Sequence, residues 1–480
     1  MIASILASGG AHGESAVPLS TTLLFTALLV GLIVCLALEE KIHAKKSVIA
    51  GVFAVACLFL ANAFHLYAFV DHHYIIQLPP LSADPAHMLE IPVYVPAIDW
   101  GVIAIILGAS LFVDVTSKSG LFTWIAIKLT KSSKGDPRKL LWYYGLMTVL
   151  FSAVLNNVTA MIIVGSLTGV SLAKLKRKDL LLGFLLIEGL LTNIGGLLTL
   201  ISSVPNIIVG NAAGISFASF FITASPYVAV ATVLTISMGA KRFGIAGLGS
   251  EAERAEAAVL VAGFDENDGV SSRGDFWFGA IMLVLFIGTM ATASVLPVIR
   301  DLGMGYVAMA FAAITLIRYK SIADRFYQAI DWDLLGFFAA LFAIINVMEH
   351  ARVLDLIGLG LGAIIGLDES IGGGAGTGAV LVSAAAFSSV TDNIPLAAML
   401  ANILDARGTP GTDPLWWSVV FGANLGGNLT PIGSASTLVA VTIIHKNEIK
   451  MSFTRFVGLA LPYAGMQIIL ALAYLLLVLR

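Results

Sequence analysis

The sequence predicts an all-α polytopic membrane protein, built from two inverted repeats of five transmembrane helices plus one re-entrant hairpin each, with broken helices at the midplane. Three observations lead to this fold class. Of the 480 residues, 58% are hydrophobic and only 12% are charged, whereas a soluble domain carries about 25% charged residues. Long stretches of the chain are apolar and nearly uncharged. Polar motifs of the first half recur about 230 residues later.

The overall charge and the cysteines exclude several classes of protein. A net charge of −3 and the lack of a long basic block argue against a nucleic-acid partner. Cys35 and Cys57 both lie in apolar runs, so neither a disulfide scaffold nor a metal or redox motif is indicated. Residues 1–19 contain no Lys or Arg, which predicts an external segment rather than a cleaved signal peptide.

Full membrane spans are the first predicted elements. Crossing about 30 Å of hydrocarbon takes about 20 mostly apolar residues in a helix. The stretches that meet this are 20–38, 47–70, 98–117, 225–240, 275–298, 304–318, 331–348 and 456–479, of which 304–318 is the shortest.

Two uncharged or nearly uncharged stretches predict re-entrant hairpins. Residues 140–173 carry no charged side chain, are flanked by Lys and Arg on both sides, and are interrupted by Asn156-Asn157. Because positive residues favour the cytoplasmic side, both ends should lie there, with the turn at the Asn pair. Residues 370–404 repeat this pattern with a single charge, Asp392. Such turns at membrane depth need protein or a water-lined cavity around them.

Two further stretches predict broken spans. Residues 180–212 and 414–445 are each longer than one span and are interrupted by Gly-rich polar segments at 192–196 and 424–428. Glycine permits non-helical backbone at these points, and the freed amides and carbonyls then need partners.

The distribution of Lys and Arg predicts the orientation of the chain. It gives ten full spans and two hairpins, with both termini outside. The membrane is expected to be the plasma (inner) membrane. The predicted domains are an external segment at 1–19, a first repeat at 20–240, a cytoplasmic linker at 241–274 and a second repeat at 275–480.

Internal self-similarity is the strongest feature of the sequence. Four landmarks recur in the same order at nearly constant spacing, which chance does not explain. They are Ile98-Asp99-Trp100 with Ile330-Asp331-Trp332, 151–157 with 387–393, 193–199 with 424–430, and Ser216-Phe217 with Ser452-Phe453. Each half holds five spans, an odd number, so the second half should enter the membrane with opposite polarity. Inverted repeats with discontinuous helices are typical of secondary transporters.

The interruptions supply the candidate substrate- and ion-binding residues. Helix N-termini favour anions, and helix C-termini with Asn, Ser and Thr oxygens favour a cation. The alternative is that these polar residues only join helices, as they often do in membranes. The candidates are Ser152, Asn156, Asn157, Thr159, Asn193, Gly196, Ser203, Asn206, Ser388, Thr391, Asp392, Asn393, Asn424, Gly427, Asn428, Thr430, Ser434 and Thr437.

Two acidic residues are candidates for proton or cation coupling. An ionisable group at membrane depth costs about 3 kcal/mol on insertion scales and is functional by default. Asp392 at the second hairpin tip fits this description, and Glu188 in the first broken span is a second candidate. A role in helix packing is the alternative for Glu188.

Four motifs resemble the ion transporter superfamily, in particular the group of arsenite permeases, P protein, citrate permeases and NhaD sodium/proton antiporters. The motifs are Phe-Ser-Ala-Val-Leu-Asn-Asn-Val-Thr at 151–159, Thr-Asn-Ile-Gly-Gly at 192–196, Thr-Asp-Asn-Ile-Pro at 391–395 and Gly-Ala-Asn-Leu-Gly-Gly-Asn-Leu-Thr-Pro-Ile-Gly-Ser at 422–434. The resemblance covers roughly residues 30–480. It implies an elevator-like transporter, often dimeric, in which a moving domain holds both hairpins.

The resemblance also implies roles for individual residues. By the resemblance, Asn157 and Asn393 would be cation or substrate ligands, with Asp392 the titratable group. The amide oxygens at the helix breaks themselves predict Na+ at Asn157, Asn193, Asn393 and Asn424. Two departures from the family pattern stand out. The first tip is Asn156-Asn157 where relatives often have Asp-Asn, and the segment 201–206 lacks the acidic residue common at that place.

The leading hypothesis is an Na+- or H+-coupled permease for a small anion, either an arsenite-like oxyanion or a di- or tricarboxylate. A sodium/proton antiporter is the main alternative and an anion channel a weaker one. No enzyme activity is expected, because the spans hold no catalytic cluster, and no cofactor is expected apart from Na+ as a coupling ion. The expected partners are a small ionic solute, the lipid bilayer and a second copy of the chain in a homodimer.

Overall fold

This computed structural model describes residues 17–66, 73–74, 89–90, 95–270, 272–367, 374–390 and 393–479. Within these ranges the regular secondary structure is helical, apart from one antiparallel pair of two-residue strands, β1 (His73–Tyr74) and β2 (Leu89–Glu90), between the predicted spans 47–70 and 98–117. The all-α prediction therefore holds for the body of the protein.

Each half contains ten α-helices in the described ranges, and the linker contains one. In the first half they are α1 (Leu19–Ala37), α2 (Glu39–Ile42), α3 (Lys46–Ala63), α4 (Trp100–Ser117), α5 (Leu121–Ser132), α6 (Pro137–Val154), α7 (Asn157–Lys174), α8 (Leu181–Gly195), α9 (Val204–Ala212) and α10 (Phe217–Arg242). The linker contains α11 (Glu251–Ala262). In the second half they are α12 (Arg273–Thr292), α13 (Pro297–Arg318), α14 (Ala323–Ala329), α15 (Trp332–His350), α16 (Val353–Ile365), α17 (Ala375–Ser388), α18 (Asn393–Ala406), α19 (Pro414–Gly426), α20 (Ala435–Lys446) and α21 (Phe453–Leu477). Short 3-10 helices occupy Lys178–Leu180, Leu200–Ser202 and Lys320–Ile322.

Nine helices of the described part are long and apolar enough to cross a membrane. Eight of them coincide with the eight predicted full spans. The ninth, Asn157–Lys174, is the second limb of the first predicted hairpin. The two predicted broken spans are indeed divided, into α8 with α9 and into α19 with α20. Helices α2, α5, α11, α14 and α16 are not among the predicted elements, because each is shorter than a span.

The chain divides into two compact units, each made of discontinuous segments. The first unit comprises Met1–Ile103 and Asp331–Ala363. In it α3 packs against α1 and α15, and the backbone amide of Ser47 donates to Asp333 Oδ1 over 3.1 Å. The Phe25 and Phe64 rings meet edge to face with centroids 6.4 Å apart.

The second unit comprises Ala104–Ile330 and Ile364–Arg480 and contains every candidate residue that the structure describes. Its centre is formed by α8 and α19: all of α8 except Leu182 is buried, as is every residue of 415–426. The outer helices α10, α12 and α21 expose large apolar side chains, with Ile222, Val284 and Ile469 each about 70% exposed. Apolar surface of this extent fits contact with lipid rather than water.

The helix breaks lie where the sequence motifs place them. Helix α6 ends at Val154, Leu155 and Asn156 are extended, and α7 begins at Asn157. Asn156 Oδ1 accepts a hydrogen bond from the Thr159 amide over 2.7 Å, which caps α7. In the second half α17 ends at Ser388 and α18 begins at Asn393. Thr391 and Asp392 lie outside the described residues.

The repeated motifs make equivalent hydrogen bonds in the two halves. Asp99 Oδ1 accepts from the Val102 amide, and Asp331 Oδ1 from the Leu334 amide, at 3.0 and 2.9 Å. Further matched pairs join each hairpin to its broken span. Ser152 Oγ donates to the Thr192 carbonyl and Ser388 Oγ to the Ala423 carbonyl at 2.7 and 2.6 Å; Thr199 Oγ1 donates to the Ala153 carbonyl and Thr430 Oγ1 to the Ser389 carbonyl, both at 2.5 Å. The repeat is thus expressed in tertiary contacts as well as in sequence.

The linker between the halves packs on the first hairpin within the second unit. Helix α11 starts with a capping box formed by Ser250 and Glu253. Glu266 forms ion pairs with Lys131 and Lys128, and the hydrogen bond from Lys131 lowers the pKa of its carboxyl below the usual range. Lys174, the last residue of α7, donates to the Gly263 carbonyl over 3.0 Å. The linker is therefore attached to the ends of α5 and α7.

Candidate functional site

The first hairpin and the first broken span meet through their polar breaks. Ser152 Oγ lies 2.6 Å from Asn157 Oδ1, to which it donates, and it also contacts the Thr192 carbonyl. Asn157 Nδ2 donates to Asn193 Oδ1 over 3.3 Å. Asn157 begins α7 and Asn193 lies at the end of α8, so the two helix breaks are joined directly by side chains.

Asn193 also connects the two halves of the sequence. Its Nδ2 donates to Asn428 Oδ1 over 2.8 Å and to Ser434 Oγ over 3.0 Å. Its Oδ1 accepts from Ser436 Oγ over 3.3 Å. Beside it, Thr192 Oγ1 donates to Ser436 Oγ over 2.9 Å. Residues that are more than 230 positions apart in the chain thus form one hydrogen-bonded group.

A second group surrounds Asn424. Ser203 Oγ donates to Asn424 Oδ1, and Asn424 Nδ2 donates to Asn206 Oδ1, both over 2.8 Å. Asn206 Nδ2 in turn donates to the Gly196 carbonyl over 2.6 Å. All three amide and hydroxyl side chains are buried. They hold the break between α8 and α9 against the end of α19.

Ser434 and Thr437 also bond to each other at the start of α20. Thr437 Oγ1 donates to the Ser434 carbonyl over 2.8 Å, and Ser434 caps α20 by accepting from the Thr437 amide over 3.3 Å. Asn393 is half-buried at the start of α18. The coupling role predicted for Asp392, and the binding role of Thr391, concern residues outside the described part.

Two glycines leave room for these contacts. A Cβ on Gly196 would lie 2.8 Å from both the Oδ1 and the Nδ2 of Asn157. A Cβ on Gly427 would lie 2.9 Å from the Ser434 Cβ and 3.1 Å from the Gly433 carbonyl oxygen. All of these distances are shorter than normal contacts of a Cβ atom, so a larger residue at either position would displace the neighbouring groups of the site.

The described site residues carry no net charge. The open side of the candidate site is formed by Asn156, which is exposed, and by Asn157, Thr159 and Ser434, which are half-buried. Asn193 lies deeper and is only 2% exposed. The N-termini of α7 and α20 begin here, and each carries about half a positive charge. The arrangement offers helix-end amides to an anion and neutral oxygens to a cation.

The side-chain oxygens of Asn157 and Asn193 have the chemistry of Na+ ligands. Amide and hydroxyl oxygens are the neutral ligands that complement a small hard cation. Of the four residues expected to hold Na+, Asn157 and Asn193 are hydrogen-bonded to each other, whereas Asn424 belongs to the neighbouring group. Within the described ranges there is no cluster of three or more His, Cys, Asp or Glu side chains that suits a multivalent metal.

Sequence reasoning missed Gln467, which the structure adds to the site. Gln467 is fully buried in α21. Its Oε1 accepts from Asn428 Nδ2 over 2.8 Å, and its Nε2 donates to Thr235 Oγ1 over 3.1 Å. The available signal was a single amide inside the apolar run 456–479, where an unpaired polar group would be costly.

Glu188 is buried one turn before the polar group. It is 0% exposed, and its Oε1 accepts from Thr168 Oγ1 over 2.6 Å. Its Oε2 has no hydrogen-bond partner among the described residues. The structure does not bond Glu188 to the asparagines, so the sequence-predicted coupling residue is adjacent to the group and not part of it.

Comparison with known proteins gives consistent matches. The profile of the family described as Citrate transporter matches residues 33–422. An uncharacterized transporter of Mycobacterium bovis is 28% identical over 384 residues, covering 79% of this chain and 86% of that protein. The P protein of Mus musculus is 27% identical over 454 residues, covering 79% of this chain and 54% of that protein.

A solved structure matches the fold. The structure of MtrF of Neisseria gonorrhoeae, described as illuminating a class of antimetabolite efflux pumps, superposes with a TM-score of 0.54 and 12% identity over 91% of this chain and 95% of that chain. At this identity the likeness concerns the fold alone. The relatives are membrane transporters and not enzymes, so the bilayer and a small solute are the partners that follow from the comparison.

Proposed function

Because this chain belongs to the citrate transporter family, we propose that it is an ion-coupled secondary transporter for a small di- or tricarboxylate anion. The observation that carries the proposal is the hydrogen-bonded group of Asn157, Asn193, Asn428 and Ser434, which joins the first hairpin motif to both broken-span motifs. Discontinuous helices of this kind bind substrate and coupling ion in secondary transporters.

The electrostatics of the described group support an anion as substrate. A carboxylate is stabilised by backbone amides at helix N-termini, and α7 and α20 both begin beside the group. None of the described site residues carries a carboxylate that would repel an anionic substrate. Asn156, Asn157 and Ser434 retain exposure, which leaves their side chains accessible to a solute.

The coupling ion is proposed from the same residues. If Na+ drives transport, the oxygens of Asn157 and Asn193 are the proposed ligands, with Asn393 and Asn424 supplementing them. If H+ drives transport, Asp392 and Glu188 are the carboxyl groups that would carry it. A homodimer in the plasma membrane with both termini outside completes the proposal.

The test is a flux assay in proteoliposomes. Labelled citrate and succinate are offered under a pH gradient and a Na+ gradient, imposed separately. We expect concentrative uptake of at least one of them under at least one gradient, lost in Asn193→Ala and retained in Asn447→Ala, an exposed asparagine outside the group. Absence of carboxylate flux under either gradient, in vesicles shown to contain folded protein, contradicts the proposal.

The same vesicles separate the sodium/proton antiporter alternative from the permease. An antiporter dissipates a preset pH gradient when Na+ is added without any carboxylate, whereas the proposed permease requires the carboxylate. Uncoupled, voltage-driven current carried by the anion alone would instead identify a channel.

A further inference from the structure

Glu188 occupies an unusual position for an acidic residue. It lies in the middle of α8, where neighbouring residues on both sides are also buried, and its side chain is 0% exposed. One carboxyl oxygen accepts from Thr168 over 2.6 Å and the other has no partner in the described part of the chain. Taking a lone carboxylate out of water costs several kcal/mol unless a cation compensates.

No cation faces the carboxyl from the described helices packed on α8. Helix α6 contributes the phenol of Tyr144, whose Oη lies 2.8 Å from Ser171 Oγ and 2.5 Å from Thr130 Oγ1. Helix α7 contributes Thr168, and α19 has no titratable side chain. The charged or titratable residues at the ends of the packed elements are exposed: Arg138, Lys139, Lys174, Lys178, Asp179, Lys241, Arg242, His445 and Lys446.

This environment favours the neutral carboxylic acid. A neutral acid leaves only a polar group to be compensated, and the contact with Thr168 provides part of that compensation. In the conformation described, Glu188 is therefore a site that holds a proton in a place shielded from water.

Glu188 and Thr168 lie on the two helices that also carry residues of the candidate binding site. Thr168 belongs to α7, which begins at Asn157, and Glu188 belongs to α8, which carries Thr192 and Asn193 one turn later. Thr192 Oγ1 donates to the Gly189 carbonyl, next to Glu188, and to Ser436 Oγ. A change in the packing of α7 on α8 alters the asparagine contacts and the surroundings of Glu188 together.

We propose that Glu188 binds and releases the proton that drives transport. It is neutral while α7 and α8 are packed as described, and it ionises when a rearrangement of α7 on α8 admits water. In this step the O–H bond of the Glu188 carboxylic acid breaks, the carboxylate keeps the electron pair, and one H+ passes to water. This inference rests on the proposed function and assigns the coupling of proton movement to carboxylate transport to Glu188 alone.

The first test uses Glu188→Gln, which keeps the shape and stays neutral. In proteoliposomes we expect at least a tenfold loss of citrate accumulation driven by a pH gradient, whereas exchange of labelled for unlabelled citrate stays within about threefold of wild type. Glu256→Gln, a change at an exposed linker glutamate, serves as the matched control and should leave both rates unchanged. Retention of proton-driven accumulation by Glu188→Gln overturns the proposal.

The second test does not depend on any substrate. Infrared difference spectra between wild type and Glu188→Gln at neutral pH should contain the carbonyl stretch of one protonated carboxylic acid, which disappears on alkaline titration. A difference spectrum with only ionised carboxylate bands overturns the proposal. If Glu188→Gln folds poorly, Glu188→Leu replaces it as the reference, because Leu also lacks a carboxyl group. If wild type carries no citrate, the proposed substrate fails, and the infrared titration decides on Glu188 by itself.

Discussion

At the scale of single residues, Asn193 holds the two halves of the site together. It exchanges hydrogen bonds with Asn157, Asn428, Ser434 and Ser436 while being only 2% exposed. An amide has two donors and two acceptor positions, and the four contacts use both atoms of this side chain. Few other side chains fit this position, because an acid would add charge and an alkyl group would remove one hydrogen bond from each of the four partners.

Asn193→Ala should therefore abolish transport and lower stability. Each buried polar group left without a partner costs about 1–3 kcal/mol. We expect a lower melting temperature in detergent and at least a tenfold loss of citrate flux. A variant with wild-type flux would show that the group is only structural.

Gly196→Ala tests whether the space beside Asn157 is needed. The added methyl would approach the Asn157 amide to 2.8 Å, so we expect the amide to shift and flux to fall at least tenfold. Gly288→Ala is the matched control: a Cβ there meets nothing within 4 Å, and Ala favours a helix by about 1 kcal/mol. Equal flux in the two variants would contradict the role assigned to Gly196.

At the scale of elements, the first hairpin depends on the cap at its turn. Asn156 is exposed, yet its Oδ1 accepts from the Thr159 amide at the start of α7. The turn therefore combines a structural role with a position on the open side of the site. A substitution at Asn156 separates these roles only if the cap is preserved.

Replacing Asn156 by Ala removes the cap and should destabilise the protein by about 1 kcal/mol. Asn156→Asp retains an acceptor and places a negative charge at a helix N-terminus, so its stability should match wild type. If the turn also faces an anionic substrate, Asn156→Asp should raise the KM for citrate by charge repulsion while leaving the melting temperature unchanged. Identical transport by wild type and Asn156→Asp would limit Asn156 to capping.

The linker element is expected to be held by Glu266. Its pKa is lowered by the hydrogen bond from Lys131, so the ionised form is stabilised at neutral pH and that contribution is lost as the pH falls through the lowered value. Glu266→Gln should increase hydrogen exchange of residues 251–270 at pH 7. Unchanged protection of this segment would show that the contacts of Lys174 and α11 suffice.

At the scale of the whole molecule, the repeat relates equivalent elements in the two halves. The connection between α7 and α8 corresponds to that between α18 and α19, and the landmark spacing makes Lys176 equivalent to Arg407. Matched hydrogen bonds, such as those of Thr199 and Thr430, support this correspondence. The opposite membrane polarity of the two halves is the prediction that remains to be measured.

The single-cysteine variants Lys176→Cys and Arg407→Cys test the inversion. Both positions are exposed, and Cys35 and Cys57 are first replaced by Ser. An impermeant maleimide should label the Lys176→Cys variant only in inside-out vesicles and the Arg407→Cys variant only in right-side-out vesicles, because positive residues place the first connection in the cytoplasm. Labelling of both variants from the same side would exclude inverted repeats.

Much of the fold followed from hydropathy and much of the candidate site from repeated motifs. The eight full spans and the breaks at Asn156 and at 192–196 could be predicted because apolar length and polar interruption are local properties of a chain. The amphipathic helix α5 and the linker helix α11 could not, since neither is long enough to span a bilayer. Gln467 was missed because a lone amide does not indicate its partner.

A helical membrane protein with a duplicated set of helix breaks can be predicted from the amino-acid sequence, because burial in lipid imposes continuous apolar segments and makes each polar interruption visible. Which polar groups meet depends on the packing of the helices. The tertiary structure joins Asn193 to Asn428 and Ser434 across more than 230 residues of chain, and it encloses Glu188 with Thr168 as its hydrogen-bond partner. Those pairings depend on how helices pack, since every buried donor and acceptor must find a partner that is near in space and often distant in sequence.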